Sequence, residues 1–218
     1  MSTDEFSNQF DVLISAFSPQ DTIVFDEYEK SVFLTQAQEE IVLLLYNDKG
    51  STALGFETKE SIRRYLHNLT QQFSINLEGA TEASFDKPND LLFITYETCN
   101  IKCNESGCEK TALVFPTKQE ELWRILQNPF RGPSDKRVIR TDRNKQIQLI
   151  SKYGMCCYTM DYLRRPKPIV LANFEDVSVN GESQICECEL DEALHDTILK
   201  AAVEAALKTK INLTKTNV

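Results

Sequence analysis

Residues 151–171 read SKYGMCCYTMDYLRRPKPIVL, and residues 188–208 read CELDEALHDTILKAAVEAALK. In the first stretch Tyr158, Met160 and Tyr162 alternate with Thr159 and Asp161, the period of two that marks a strand with one wet face. Pro166 and Pro168 lack the N–H that a strand ladder uses, so the strand stops before them. The second stretch predicts a closing helix that begins near Asp191. Glu189, Asp191 and Glu192 sit at its positive end and Lys200, Lys208 and Lys210 toward its negative end, which complements the helix dipole. Its face of Leu194, Ile198, Ala201, Ala202 and Ala205 permits close packing. A strand halted by prolines and a patterned helix contain no reaction chemistry, and they point toward assembly rather than catalysis.

Upstream of this ending, KRVIR and QIQLISKY flank TDRN, a hairpin turn, so that with CYTMDYL three segments are expected to form an antiparallel meander. NPFRGPSD (128–135) reads as a loop from its prolines and glycine. Pro116 and Thr117 open a short helix over about 117–127, with Thr117 and Glu120 in capping-box spacing and Leu122, Trp123, Ile125 and Leu126 inside. LLFITYETC (91–99) is a strand, paired with Thr111–Phe115 across a tip that contains Asn104–Gly107. Asn180–Gly181 marks a further tight hairpin. Nearer the start, Phe6, Phe10, Leu13 and Phe17 draw a helical stripe over Thr3–Ser18. Asp26–Phe33 leads as a short helix into a second one, for which Thr35 and Gln38 have the form of a capping box. A third helix fits Lys59–Thr70, capped by Thr58, with Ile62, Tyr65, Leu66 and Leu69 inside and His67 on the surface. The reading is an α+β chain, with a bundle of amino-terminal helices and the closing helix packed on an antiparallel sheet. Residues 1–83 form the helical part, 84–188 the β part, 189–210 the closing helix and 211–218 a mobile tail, all in one folding unit.

With 218 residues and 41% hydrophobic content the chain can bury a core without staples, and no apolar run approaches the roughly 20 residues of a membrane span. The start, MSTDEFSNQF, lacks the basic and apolar regions of a signal peptide, so a cytosolic site of synthesis is expected. Seven cysteines without framework spacing read as reduced thiols. The formal charge of −9 is unevenly spread. Arg124–Lys167 holds eleven Lys or Arg against three Asp or Glu, a net of +8, which leaves −17 elsewhere. Solvated faces account for this in the plain reading; head-to-tail packing of a basic patch on an acidic one is the sharper reading. Binding to nucleic acid through counterion release fits an acidic chain poorly.

The common catalytic signatures are missing: there is no glycine-rich phosphate loop, nucleophile elbow or HExxH. His195, one turn after Asp191, is expected in an exposed ion pair. Glu39–Glu40 and Glu120–Glu121 fall on wet helix faces. The sharpest chemical candidate is Cys99, Cys103 and Cys108, spaced C-x3-C-x4-C, which would need a fourth ligand such as Cys186 or Cys188 to hold zinc. Adjacent Cys156 and Cys157 point to opposite faces of a strand. No catalytic residue, cofactor or metal is therefore assigned; a zinc-dependent binding module or small hydrolase built on the cysteine tip is the alternative.

The order and spacing of FDEYEKSVFLTQAQEEIVLLLY (25–46), ESIRRYLHNL (60–69), NPFRG (128–132), QLISKY (148–153), YLRRPKPIVL (162–171) and CELDEALHDTILKAAVEAAL (188–207) carry a resemblance. The chain resembles virion structural proteins of crAss-like bacteriophages, the ring or adaptor proteins between portal and tail. That resemblance implies a non-enzymatic subunit of a ring, often a dodecamer, at the head-tail junction. Its partners would be its own copies, the portal protein and other ring or tail proteins, with DNA passing through without sequence-specific binding and with no membrane. Residues expected at its interfaces are the loop from Asn128 to Arg131 and Arg164, Arg165 and Lys167 beside the proline step.

Overall fold

The computed structural model describes residues 1–17, 24–47, 64–102 and 109–216. In chain order these form helices α1 (Thr3–Phe17) and α2 (Glu27–Asn47), strands β1 (Thr70–Asp86), β2 (Leu91–Lys102) and β3 (Glu109–Thr117), helix α3 (Gln119–Leu126), strands β4 (Arg137–Arg143) and β5 (Gln146–Arg164), and helix α4 (His195–Thr216). The fold is mixed α/β. It divides into two compact units, Met1–Leu69 with Arg165–Val218 and Thr70–Arg164.

In the helical unit, α1, α2 and α4 pack on one another. Both amino-terminal helices open on a reciprocal capping box. Ser2 Oγ accepts from the Glu5 N–H while Glu5 accepts from the Ser2 N–H, and Asp26 and Glu29 repeat the arrangement. Thr35 and Gln38 are therefore not a cap, as their spacing suggested, because α2 has already started at Glu27 and carries them buried in its middle. Their work is to receive the PKPIVL segment. Ser31, Thr35 and Gln38 lie on one face of α2, at i, i+4 and i+7. The Thr35 hydroxyl donates to the Ile169 carbonyl at 3.3 Å and accepts from the Ile169 N–H at 3.1 Å. Ser31 accepts from the Leu171 N–H, and the Gln38 amide donates to the Lys167 carbonyl. Buried backbone groups require partners, and the period of two along 167–171 meets the helical period of α2 at these three side chains. Pro166 and Pro168 present no N–H between them. Lys30, buried, joins α1 to α2 through Asp11 at 2.7 Å and Glu27 at 3.1 Å.

The closing helix starts where the sequence predicts. Asp191 caps a short 3-10 turn, Glu192–Leu194, which runs into α4. The helix then continues to Thr216, through much of the expected tail. Ile198, Leu199, Ala202, Val203 and Ala206 are buried along it. His195 is not in an exposed ion pair. It is buried, its ring lies 5.3 Å from that of Phe6, its Nδ1 accepts from the Met1 ammonium at 2.8 Å and its Nε2–H donates to the Leu190 carbonyl. Burial, helped by the charge of the Met1 ammonium, lowers its pKa and keeps it neutral.

The second unit begins earlier than expected, since β1 starts at Thr70, inside the stretch expected to be helical. Phe73, Ile75 and Leu77 alternate with Ser74 and Asn76, and they pack toward a core that also contains Phe85, Cys99, Ile101, Val114, Tyr158 and Met160. QIQLISKY and CYTMDYL are not two strands of a meander but one strand, β5, which bends around Gly154. β5 pairs with β4 through residues 146–150 and with β2 through 154–164, while β3 pairs with β2 and, in parallel, with β4. The strands β5–β2–β3–β4 thereby close into a small barrel. β1 lies along the other edge of β5, because Tyr162, for example, pairs with Gln71 on one side and Ile94 on the other. At the bend, a Cβ on Gly154 would come within 2.6 Å of the Gly79 carbonyl oxygen, and Gly79 itself has φ +82°. The bulges of β1 and β5 meet there, backbone to backbone. The turn after β4 is Asn144–Lys145, within the expected hairpin, and in the helical unit Asn180–Gly181 makes its tight turn with φ 49° and 94°.

Candidate assembly interface

The α3 segment departs from its predicted form. Pro116 and Thr117 still belong to β3, and Lys118 precedes the helix without a side-chain cap. None of the α3 residues is buried. Leu122, Ile125 and Leu126 are half-covered and form one face, whereas Trp123 is 73% exposed. Trp123 lies about 100° around the helix from Leu122, off the stripe with which it was grouped.

The NPFRG loop that follows is tightly built. Asn128 Oδ1 accepts from the N–H groups of Phe130 and Arg131, and the Asn128 carbonyl accepts from the Gly132 N–H at 2.7 Å. A Cβ at Gly132 would approach that carbonyl oxygen to 2.9 Å, so the turn requires glycine. From beneath, the Arg137 guanidinium donates to the Phe130 carbonyl at 2.8 Å and stacks 4.7 Å from the Phe115 ring centre. The outcome is Phe130, 87% exposed, on a loop held by five backbone-directed hydrogen bonds, one of them from the Arg131 N–H to the Asn128 carbonyl. A large apolar ring fixed in water is unfavourable for an isolated chain and suited to an interface, where Trp, Phe and Arg are enriched.

Two grooves flank Phe115 and Pro116. One, of about 240 Å³, is lined by Phe115, Thr117, Ile125, Arg131, Arg137 and Ile139. The other, of about 290 Å³, opens between β2 and β3 and is lined by Tyr96, Glu97, Leu113, Phe115 and Arg140 among others. It exists because the β2–β3 ladder ends at Thr98 and Leu113. A buried network ties the strands beneath that gap. Arg140 on β4 donates to Glu97 on β2 at 2.6 Å, and Tyr158 on β5 donates to the same carboxylate oxygen at 2.5 Å. Burial and the adjacent carboxylate hold the Tyr158 phenol well above its usual pKa. For Arg140 burial acts in the opposite direction, but the Glu97 and Asp142 charges outweigh it.

Of the residues expected at interfaces, Asn128 shapes the loop and Arg131 is exposed on it. Lys167 is exposed, with its N–H on the Glu189 carboxylate, Arg165 is exposed, and Arg164 is the half-buried last residue of β5. Phe130 lies within the expected loop, while Trp123 and Arg137, which complete the patch, were not selected from sequence. Cys99 does not face a metal-binding tip. Its thiol is fully buried in the sheet core, where burial pushes its pKa up to about 12. Cys103 and Cys108 lie outside the described residues, as do Thr58 and the first part of the third helix. Among the described residues no cluster of three or more His, Cys, Asp or Glu side chains could hold a metal ion, and no helix is long and apolar enough to cross a membrane.

Comparison with known proteins decides what kind of chain carries this patch. Residues 1–217 match the family described as phage tail ring protein 3/4. The chain belongs to that family. It is 40% identical to "Ring protein 3" of Bacteroides phage crAss001 over 226 aligned residues, covering 98% of both proteins. It is also 31% identical to "Ring protein 4/5" of the same phage, over 94% of this chain and 92% of that protein. The family recognised in the sequence is thus the one that matches, from end to end.

Proposed function

We propose that the chain is a non-enzymatic structural subunit of a ring in the phage tail, at the joint between portal and tail, surrounding the channel through which DNA passes. The end-to-end match to ring proteins carries this reading. The exposed patch of Trp123, Phe130, Arg131 and Arg137 supports an assembly contact on this face, with Arg164, Arg165 and Lys167 as a second basic stretch for neighbouring proteins. Its partners are copies of itself, in a dodecamer or a ring of similar number, the portal protein and adjoining ring proteins. A net charge of −9 suits a conduit, since a basic lining would bind phosphates and retard the DNA.

Electron microscopy of the purified chain, alone and mixed with its neighbouring ring proteins, tests the reading. Rings are expected. Trp123→Ala with Phe130→Ala is expected to abolish or weaken them at least about tenfold, the effect of losing one strong hot spot. Rings of undiminished stability in the double variant would overturn the role of the patch.

A further inference from the structure

A closed ring of identical subunits needs two different surfaces on each copy, one complementary to the other. The α3–NPFRG patch supplies one, on the reading proposed above. Its counterpart is sought on the opposite flank of the same β unit, where β1 forms the end of the strand order β1-β5-β2-β3-β4. β1 is 17 residues long and, among the described residues, has no strand on its second edge. Such an edge exposes a row of free N–H and C=O groups, and natural proteins guard long ones with lysine, proline or a covering element. β1 contains neither lysine nor proline, and its bulge between Asn76 and Glu82 leaves regular edge on either side, at Thr70–Asn76 and Glu82–Asp86.

The charges show what this edge accepts. Glu78, Glu82 and Asp86 are exposed on β1, which carries no Lys or Arg. Two β1 edges brought together would therefore place like charges opposite one another, which disfavours symmetric pairing. The patch segment is on balance basic, with Lys118, Arg124, Arg131, Lys136 and Arg137 against Glu120, Glu121 and Asp135. Its groups also match in hydrogen-bonding type. Arginine and tryptophan side chains only donate, whereas the carboxylates and free carbonyls of β1 accept. β1 pairs with β5 on the edge opposite to the one that holds β2 and β4, so its free edge faces away from the strands that carry the patch, as a head-to-tail contact requires.

We propose that neighbouring subunits of the ring join by docking the acidic free edge of β1 of one copy on the α3–NPFRG patch of the next. The occupant of the patch is a second copy of this chain.

Cysteine cross-linking on assembled rings tests this. Glu82→Cys and Arg131→Cys in one chain are expected to give a ladder of covalent multimers under oxidation, above the background of the native cysteines. A mixture of the two single variants should stop at dimers, and neither single variant alone should link. Self-linking of Glu82→Cys or of Arg131→Cys, or rings without any link, would overturn the β1 assignment. A wild-type chain that forms no ring, alone or with other ring proteins, would instead overturn the ring reading itself. As a second measurement, Glu78→Lys with Glu82→Lys should raise the concentration needed for assembly at least about tenfold, and so should Arg124→Glu with Arg131→Glu. Combining the two pairs should restore most of the loss; no restoration in variants whose circular dichroism and melting match wild type would count against the contact.

Discussion

Replacing Arg140 by Met tests whether the closed barrel is held by its buried network. Glu97 and Arg140 are 8% and 9% exposed, and the carboxylate has two partners, Arg140 at 2.6 Å and Tyr158 at 2.5 Å. Arg140→Met leaves a buried carboxylate with the tyrosine alone, and breaking a buried pair in this way costs about 3–5 kcal/mol. Tyr158→Phe removes one hydrogen bond to a charged group and keeps the ion pair, a loss of about 1.5–3 kcal/mol. Glu97→Leu combined with Arg140→Met leaves neither charge unpaired, so the double variant should lose clearly less than the sum of the single ones. Urea denaturation followed by circular dichroism in the β-sheet region measures these variants and Glu97→Leu alone, and a loss of 4 kcal/mol corresponds to a fall in Tm of about 8–16 °C for a chain of this size. The reasoning fails if Arg140→Met costs no more than Tyr158→Phe, or if the two replacements of the ion pair are additive.

Three other perturbations address separate parts of the fold. Gly154→Ala should destabilise by about 1–3 kcal/mol, because its Cβ would meet the Gly79 carbonyl oxygen at 2.6 Å; Gly79→Ala, with open space but φ +82°, should cost about 1–2 kcal/mol, and equal tolerance of both in thermal melts would contradict the backbone contact. Thr35→Val should cost about 1–3 kcal/mol in chemical denaturation, since the N–H and C=O of Ile169 both lose their partner, whereas Thr35→Ser should be nearly neutral. His195 has a folded-state pKa below its unfolded value near 6.5, so the unfolded chain takes up a proton that the native chain refuses. Stability should therefore fall as the pH drops below about 6.5, and His195→Gln should flatten that part of the profile; an unchanged slope in the variant would assign it to other groups.

Local signals were legible wherever one residue type decides the backbone. Pro166 ends β5, Asn180–Gly181 makes its turn and Asp191 caps the closing helix, each for reasons contained within a few residues. The errors arose where a local pattern had two meanings. Thr35 and Gln38 have the spacing of a cap, but the same spacing puts them on one helix face, and only the arrival of Ile169 and Lys167 from 134 and 129 positions away in sequence shows which meaning holds. QIQLISKY and CYTMDYL read as separate segments of a meander, yet Gly154 between them marks a close approach to Gly79 within one strand. Phe73, Ile75 and Leu77 alternate plainly, and the strand they form was missed because it follows directly on a helical segment.

The patch was half legible for a different reason. NPFRG announces a loop, and its hydrogen bonds follow from Asn128 and Gly132, but whether Phe130 points inward or outward depends on Arg137, which arrives from β4 to occupy the underside. Trp123 was assigned to the interior on hydrophobicity alone, although its position on the helix is a turn angle away from Leu122. Burial rules favour the interior for such residues only if the rest of the chain offers a place for them. Here the inner face of α3 is already taken by Leu122, Ile125 and Leu126, so the two rings remain outside. On the proposed reading they contact another chain, which is why the patch, unlike the barrel, has to be tested on the assembled ring.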